Sequence, residues 1–427
     1  MIRGIVPPVT WTVLGASAMT TLGTLPVFLL SSQSVLVRSD LEFDETQFGV
    51  AVSAFFVAAA ATALLGGGLV DKMGRRNSTA CAGLVAAAGG FGVAWGTRSW
   101  PVLVLGMVIL GVANAGCQVT SNLIMARVVP QHRQGLGFGV KQSAIPLSIM
   151  LAGLAVPTIG ALVGWRWTFA LTGIGGLAVA VVGLRLPRGV AGHAEHVLDP
   201  DRPPMRALVT TMIAITLASA AANSLGSFAA SWGFQVGLTP GQAGLLMAAG
   251  SGVNIVVRVL MGYLADRRHG RNLPVVAGQM LIGAVALAAL SVPSPVVVVP
   301  AGLVAFALGW SWPGLLLYAV VRVGRDSPAA ATGVVQAGAF VGGAAGPVLF
   351  GTVVAASGYE TAWRLAALLF VAAAILVIAA RRMFIADLVA RPPARPLGYG
   401  GGRHAPARTT GLSGPRRTGS ESPDRDQ

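Results

Sequence analysis

The sequence predicts an all-helical integral membrane protein whose twelve transmembrane helices form two six-helix bundles. Three observations lead to this fold class. Only 11% of the 427 residues are charged and 54% are hydrophobic, with a mean hydropathy of +0.72, whereas soluble domains carry about 25% charged residues. Apolar runs long enough to cross about 30 Å of hydrocarbon occur twelve times along the chain. Several motifs also recur at nearly one spacing, which indicates an internal duplication.

Each apolar run is interpreted as a helix, because a segment in lipid must pair its backbone groups within itself. The runs are also about twice as long as a tilted barrel strand requires. The spans of the first half are predicted near 9–31, 47–70, 78–97, 100–126, 135–160 and 165–186. Those of the second half are predicted near 206–231, 240–264, 273–292, 296–321, 330–356 and 361–380.

Composition divides the chain into four parts. The polar stretch 187–205 contains four prolines and is predicted to be a cytoplasmic linker. It would join an N-terminal six-helix bundle, residues 1–186, to a C-terminal six-helix bundle, residues 206–382. Residues 383–427 are rich in Pro, Gly and Arg and are predicted to form a disordered basic cytoplasmic tail.

The charges predict the orientation of the chain in the membrane. Of the 30 lysines and arginines, 24 fall on the side of the two termini, four on the opposite side and two within spans. Cytoplasmic segments carry such an excess of cations. The sequence therefore predicts a multi-pass protein of the inner (plasma) membrane with both termini cytoplasmic. This placement of the cations accounts for the net charge of +15. The expected partner is therefore the lipid bilayer, and no nucleic acid is expected.

A repeated frame supports the duplication. GGLVDKMGRR at 67–76 and GYLADRRHGR at 262–271 share a frame of Gly, three residues, Asp, a cation, and then Gly and Arg, with one extra residue before the last Gly in the second copy. Because a unit of six spans is even, both copies run in the same direction, as in halves related by a pseudo-twofold axis. The anchors are Asp71 and Asp266, 195 apart, Arg127 and Arg322, also 195 apart, and GVKQ at 139–142 and GVVQ at 333–336, 194 apart.

Twelve spans in two sixes, with a G-x-x-x-D-[RK]-x-G-R-R loop after the second, resemble the major facilitator superfamily. The resemblance covers about residues 8–382 and implies a rocker-switch carrier of a small molecule, monomeric by default, without cofactor. It also implies a cytoplasmic conformational latch, although the arginines involved can instead simply follow the charge bias. The latch residues are Gly67, Asp71, Arg75, Arg76, Asp266 and Arg267.

Lys141 and Arg258 are the two cations inside predicted spans. Lys141 lies about six residues into the fifth span, and its counterpart in the second half is Val335. An anionic ligand is one candidate partner for its ammonium; snorkelling to the headgroups or structural pairing is the alternative. Arg258 is assigned a structural role, pairing with Asp266 or nearby carbonyls, and Arg127 and Arg322 are also assigned as structural charges.

Polar residues recur at helical spacing inside two spans. Asn114, Gln118 and Asn122 share one face of the fourth span, and Asn223 begins a similar series on the seventh. Such faces either bond neighbouring helices or line a wet cavity. The histidines lie in predicted loops without metal-ligand spacing, so no metal site is predicted. The predicted substrate-binding residues are Lys141, Asn114, Gln118, Asn223, Gln336 and Trp310.

Three functional hypotheses follow. The first is a secondary active transporter of a small organic or inorganic anion, working by alternating access, with a coupling proton left open because no acidic residue lies well inside a span. The second is an efflux pump for amphipathic compounds or drugs, favoured by the tryptophans. The third is a membrane sensor or scaffold that does not transport, supported by the basic tail. No nucleophile–base set or phosphate loop indicates an enzyme.

Overall fold

The structure is a computed structural model, and its described part is helical. It describes residues 9–128, 137, 140–186, 203–267, 272–323 and 328–392, without the side chains of 9, 64–72, 123, 126–128, 266–267 and 328–330. No strand occurs within those ranges.

The first half contains a short helix, α2, and six long ones. Helix α3 begins with a capping box, in which the Asp44 side chain accepts from Gln47 N and the Gln47 side chain accepts from Asp44 N. Gly74 (φ 70°) separates α3 from α4. The helices are α1 (Val9–Ser32), α2 (Ser34–Leu41), α3 (45–73), α4 (75–96), α5 (Trp100–Val128), α6 (Val140–Gly160) and α7 (Trp165–Arg185).

The second half contains one helix that is broken near its middle. A π turn, Ala305–Gly309, follows α11, and α12 begins only after Trp310 and Ser311. The helices are α8 (Met205–Gln235), α9 (Pro240–Arg267), α10 (Asn272–Leu290), α11 (Pro295–Val304), α12 (Trp312–Val323), α13 (328–357) and α14 (359–390).

The described helices give the twelve predicted crossings. Eleven helical stretches are long and apolar enough to span a membrane, and the last, Ala331–Ala390, contains 60 residues. At about 1.5 Å per residue that is roughly three times the hydrocarbon thickness, and Gly358 (φ 80°) divides it into α13 and α14. Val9 and Ala390 therefore lie on one face, here called the terminal face; the other is the loop face.

Two glycines with positive φ mark corresponding points of the two bundles. Gly164 (φ 100°) precedes α7, and Gly358 (φ 80°) precedes α14. Each therefore begins the last helix of its bundle in a conformation that glycine adopts without a steric penalty. They are 194 residues apart, which is the spacing of GVKQ and GVVQ. The duplication seen in the sequence thus has a counterpart in the backbone.

Helix α14 continues to Ala390, eight residues beyond the boundary predicted at 382. Its added turns are packed, since Phe384 is 3% exposed and Thr210 Oγ1 lies 3.6 Å from the sulfur of Met383. Arg391 bonds Asp387 one turn earlier. Charge and proline content predicted a tail from 383, but the apolar side chains of this segment keep it helical.

The two bundles are tightly packed against each other toward the loop face. A Cβ added at Gly49 of α3 would lie 2.5 Å from the carbonyl oxygen of Pro347 on α13. Another at Gly244 of α9 would lie 2.6 Å from the carbonyl oxygen of Gly153 on α6. Glycine permits such backbone approach in membrane proteins. The cavity described below is therefore closed on this side.

Candidate substrate cavity

A cavity of about 110 Å³ lies between the two bundles. Five amide side chains and five aromatic rings line it, with aliphatic and hydroxyl groups between them. None of its lining residues carries a formal charge. They are Thr24, Val27, Phe28, Phe56, Asn114, Gln118, Gln142, Ile145, Ile215, Ser219, Asn223, Trp310, Trp312, Pro313, Leu317, Gln336, Ala339 and Phe340.

The structure brings five of the six predicted binding residues to this cavity. Asn114 and Gln118 come from α5. Asn223 comes from α8 and Gln336 from α13, while Trp310 precedes α12. Both bundles therefore contribute polar groups to one cavity. A binding role for these residues stays a prediction.

Lys141 does not line the cavity. Its side chain is 3% exposed, and its ammonium donates to Oε1 of Gln118 at 3.2 Å and to Oδ1 of Asn122. Neighbouring side chains on a helix are about 100° apart, so when Gln142 faces the cavity, Lys141 turns toward α5. In this geometry the ammonium is paired with side chains of α5 and does not snorkel to the headgroups; a ligand contact of Lys141 stays a prediction.

The second bundle also has a cavity-facing glutamine preceded by a buried residue, but that residue is uncharged. Gln336 lines the cavity, as Gln142 does, and the preceding Val335 is fully buried. Gln142 was missing from the predicted binding residues. Its signal was the glutamine shared by GVKQ and GVVQ, whereas the rings of Phe28, Phe56 and Phe340 have no sequence feature that separates them from packing residues.

Two buried polar atoms of cavity residues have no hydrogen-bond partner. They are Oδ1 of Asn114, a residue 3% exposed, and Nε1 of Trp312, a residue 2% exposed. Buried polar groups are rarely left unsatisfied in folded proteins. A ligand group able to reach them would have to donate to Asn114 and accept from Trp312.

Aromatic rings from both bundles form part of the cavity wall. The ring of Phe28 in the first bundle meets that of Trp310 edge to face, with centroids 5.9 Å apart. Trp310 also lies beside Phe306, with centroids 6.1 Å apart. A planar apolar group entering the cavity would therefore meet ring faces and edges, which favour aromatic ligands.

The break between α11 and α12 positions the tryptophans and is stabilised by neighbouring helices. Nδ2 of Asn254 donates to the carbonyl of Phe306 at 2.6 Å and to that of Ala307 at 3.1 Å. One turn along α9, Nη2 of Arg258 donates to the carbonyl of Trp310 at 2.6 Å. An irregular backbone at membrane depth requires such donors from the protein.

The other predicted structural charges are placed as follows. Nη1 of Arg258 donates to the carbonyl of Gln142 at 2.6 Å, so both of its described partners are carbonyls. The guanidinium of Arg322 lies 4.4 Å from the centroid of the Tyr318 ring, in cation–π geometry. The side chains of Arg127 and Asp266 lie outside the described residues.

The predicted latch is only partly described. Arg75 and Arg76 begin α4 immediately after Gly74, and both side chains are half-buried. The surroundings of Gly67 and the side chains of Asp71, Asp266 and Arg267 lie outside the described part. The latch therefore stays a prediction.

The family profile described as Major Facilitator Superfamily matches residues 11–209 and again residues 207–412. Two successive matches correspond to the two bundles. The chain belongs to the Major Facilitator Superfamily. It is thus a multi-pass membrane transporter of a small molecule rather than an enzyme, and the fold class predicted from the sequence is confirmed.

The chain is similar to several characterised proteins. It is 29% identical over 351 residues to a chloramphenicol resistance protein of Streptomyces lividans, across 79% of this chain and 87% of that protein. It is 27% identical over 143 residues to the glucose transporter GlcP of Staphylococcus epidermidis, across 34% of this chain and 32% of that protein. These two relatives differ in what their names say they handle, so they do not fix a substrate.

A solved structure shares the fold. It is a bacterial homolog of the human lysosomal transporter Spinster, in an inward-facing and unoccupied conformation, with a TM-score of 0.70. The alignment covers 90% of this chain and 99% of that one at 16% identity.

Proposed function

We propose that the chain exports a small, uncharged, amphipathic compound by alternating access. The observation that carries this proposal is the cavity lining, which combines amides with aromatic rings and contains no formal charge. Moving an ion into such a space costs several kcal/mol unless a partner charge is present. Amides instead pair with neutral donors and acceptors, and rings pack against apolar or aromatic groups.

Lys141 acts indirectly in this proposal. An ammonium has donors only, so the amide oxygen of Gln118 must turn toward it. The NH₂ group of Gln118 is then the part left for the cavity. Lys141 thereby fixes Gln118 as a donor to an acceptor atom of the substrate.

The size of the cavity is consistent with alternating access. Its volume of about 110 Å³ is below the roughly 300–1,000 Å³ typical of pockets for drug-sized ligands. A ligand of that size would fit only in a wider cavity, as would form if the bundles moved apart on one side. This conformation, closed toward the loop face, is then one of at least two in the transport cycle.

The direction of transport is proposed from the relatives. The Streptomyces lividans protein, named for chloramphenicol resistance, matches most of both chains, and resistance accords with export. Chloramphenicol is an uncharged molecule that carries both an aromatic ring and an amide. Following the 24-to-4 distribution of cations, we take the terminal face as cytoplasmic. The proposal also includes a proton as the coupling ion and a monomeric protein.

A second candidate, transport of a small anion, rests on one observation. The ammonium of Lys141 lies one side chain behind the cavity wall, 3.2 Å from Gln118 Oε1. Rotation of the Gln118 side chain would expose the ammonium to a ligand. The neutral wall favours the first candidate, because an anion would also displace the two amide oxygens from Lys141.

Accumulation assays test the proposal. A bacterial host without its own efflux pumps would express the wild-type chain, Gln336→Ala, or the matched control Thr352→Ala, an exposed position on the same helix. Wild type and control should lower the accumulation of radiolabelled chloramphenicol or related uncharged aromatics, and Gln336→Ala should do so less. Lower accumulation of anionic aromatics alone would overturn the proposal in favour of the second candidate.

A further inference from the structure

Arg258 connects the two bundles at the side of the cavity nearer the terminal face. We propose that Arg258 is an interbundle lock: its bond to Gln142 holds the terminal-face side closed and breaks when the cavity opens there. The lock concerns conformation alone, so it does not depend on which substrate the carrier moves.

The guanidinium bridges two elements of opposite bundles. Arg258 lies on α9 and is 3% exposed. Nη1 donates to the carbonyl oxygen of Gln142 on α6, and Nη2 donates to that of Trp310, each at 2.6 Å. Hydrogen bonds from a charged donor are short and about twice as strong as neutral ones. One side chain thus joins the first bundle to the broken helix of the second.

Proline explains why the Gln142 carbonyl is available. In a regular helix this oxygen would accept from the N–H four residues later, at position 146. That residue is Pro146, which has no N–H. Arg258 supplies the missing donor from the other bundle. The carbonyl would otherwise be buried without a partner, which is unfavourable at membrane depth.

The position of the bond makes it dependent on conformation. Helices α6 and α9 pack against each other along a contact that we call the α6–α9 seam. Arg258 lies nine residues before the end of α9, about 14 Å along the helix, and so in the terminal-face half of this seam. Gly244 meets Gly153 in its loop-face half. The α6–α9 seam is therefore closed in both halves. Opening its terminal-face half separates Gln142 from Arg258, while the bond to Trp310 stays within one bundle.

Water can replace the Gln142 carbonyl as the hydrogen-bond partner of Arg258 once the seam opens. Nε of Arg258 is already without a hydrogen-bond partner, and the separation would admit water to the guanidinium. Both locked carbonyls also belong to residues that line the cavity, Gln142 and Trp310. A ligand that shifts either residue therefore acts on the lock directly, which couples occupancy to opening.

Distances between spin labels test the lock in the full chain without substrate. Asn77→Cys and Met205→Cys place labels on exposed terminal-face positions of different bundles, in a background of Cys81→Ala and Cys117→Ala. Arg258→Met should increase the population of molecules with a long distance between the two labels by about tenfold. This is the change in the closed–open equilibrium expected from the loss of one hydrogen bond with a charged donor. Pro146→Ala should cause a shift in the same direction, because it returns an N–H to the Gln142 carbonyl.

Two comparisons separate the lock from a general structural role. Asn254→Ala removes donors that serve carbonyls of its own bundle and should leave the distances unchanged. Arg258→Met combined with Pro146→Ala should shift no further than either alone. An unchanged distribution in folded Arg258→Met, or an equal shift in Asn254→Ala, would overturn the proposal. If Arg258→Met does not fold, Arg258→Lys and Pro146→Ala decide it in the same assay.

Discussion

Gln142 and Gln336 are 194 residues apart in the chain and line the same cavity from opposite bundles. Each follows a buried residue, Lys141 in the first bundle and Val335 in the second. The pair shows how a duplicated unit builds one central site, with equivalent positions facing each other across the pseudo-twofold axis.

Both glutamines should contribute to ligand affinity by similar amounts. Gln142→Ala and Gln336→Ala each remove one neutral hydrogen bond, so affinity should fall about fivefold, or about 1 kcal/mol. Equilibrium binding to purified protein measures this. Val335→Ala is the matched control, since it should lower thermal stability through lost packing and leave affinity unchanged. A loss of affinity in the control equal to that in Gln336→Ala would contradict the assignment.

Lys141 should act through Gln118. Lys141→Met frees the Gln118 amide to rotate and should weaken binding of an uncharged ligand by about tenfold. In a Gln118→Ala background the same change should cost little, because the group that Lys141 orients is gone. A double-mutant cycle measures the coupling. Additive losses would mean that Lys141 works by another route, and selective loss of anion transport would favour the second candidate.

The indole N–H of Trp312 should recognise an acceptor. Trp312→Phe keeps an aromatic ring but removes the unpartnered donor, so a ligand with a carbonyl or hydroxyl acceptor should bind several-fold more weakly. A ligand analogue lacking that acceptor should bind both proteins equally. Titration with the two ligands checks this; equal loss for both would point to ring packing instead of hydrogen bonding.

Close packing of α9 on α6 should stabilise the state that is closed toward the loop face. Gly244→Ala places a Cβ 2.6 Å from the carbonyl oxygen of Gly153, so the helices must separate. Labels at Ser39→Cys and Gln235→Cys, exposed on the loop face of different bundles, should report longer distances. Gly241→Ala is the control, since its Cβ would lie 3.6 Å from that of Pro157, an ordinary contact; the same shift there would refute this explanation.

The sequence predicted the fold well because membrane insertion imposes strong patterns. The twelve apolar runs follow from the thickness of the bilayer, and the repeat spacing was visible in motifs such as GVKQ and GVVQ. Local irregularities were less predictable. Pro313, in the first turn of α12, is a sequence signal for the break at Trp310, but the donors from Asn254 and Arg258 that stabilise it lie on another helix and cannot be predicted from α11 and α12 alone.

The position of the candidate site could be predicted from the sequence better than the surroundings of its one nearby lysine. Spacing placed Asn114 and Gln118 on one face, and the structure brings them to the cavity. The charge inside a span drew attention to Lys141, which lies next to the cavity residue Gln142. Its partner, however, is set by the rotation of α6 against α5, a tertiary feature. That rotation turns Gln142 inward and leaves Lys141 to pair with Gln118 and Asn122.

Counterflow into proteoliposomes with matched ligand pairs tests the central claim most directly. Each pair consists of an aromatic amide and the carboxylate of the same size, so that only the formal charge differs. The neutral cavity wall predicts saturable counterflow of the amides, reduced in Gln336→Ala, and none above background for the carboxylates. Counterflow of the carboxylates without the amides, abolished by Lys141→Met, would contradict the claim.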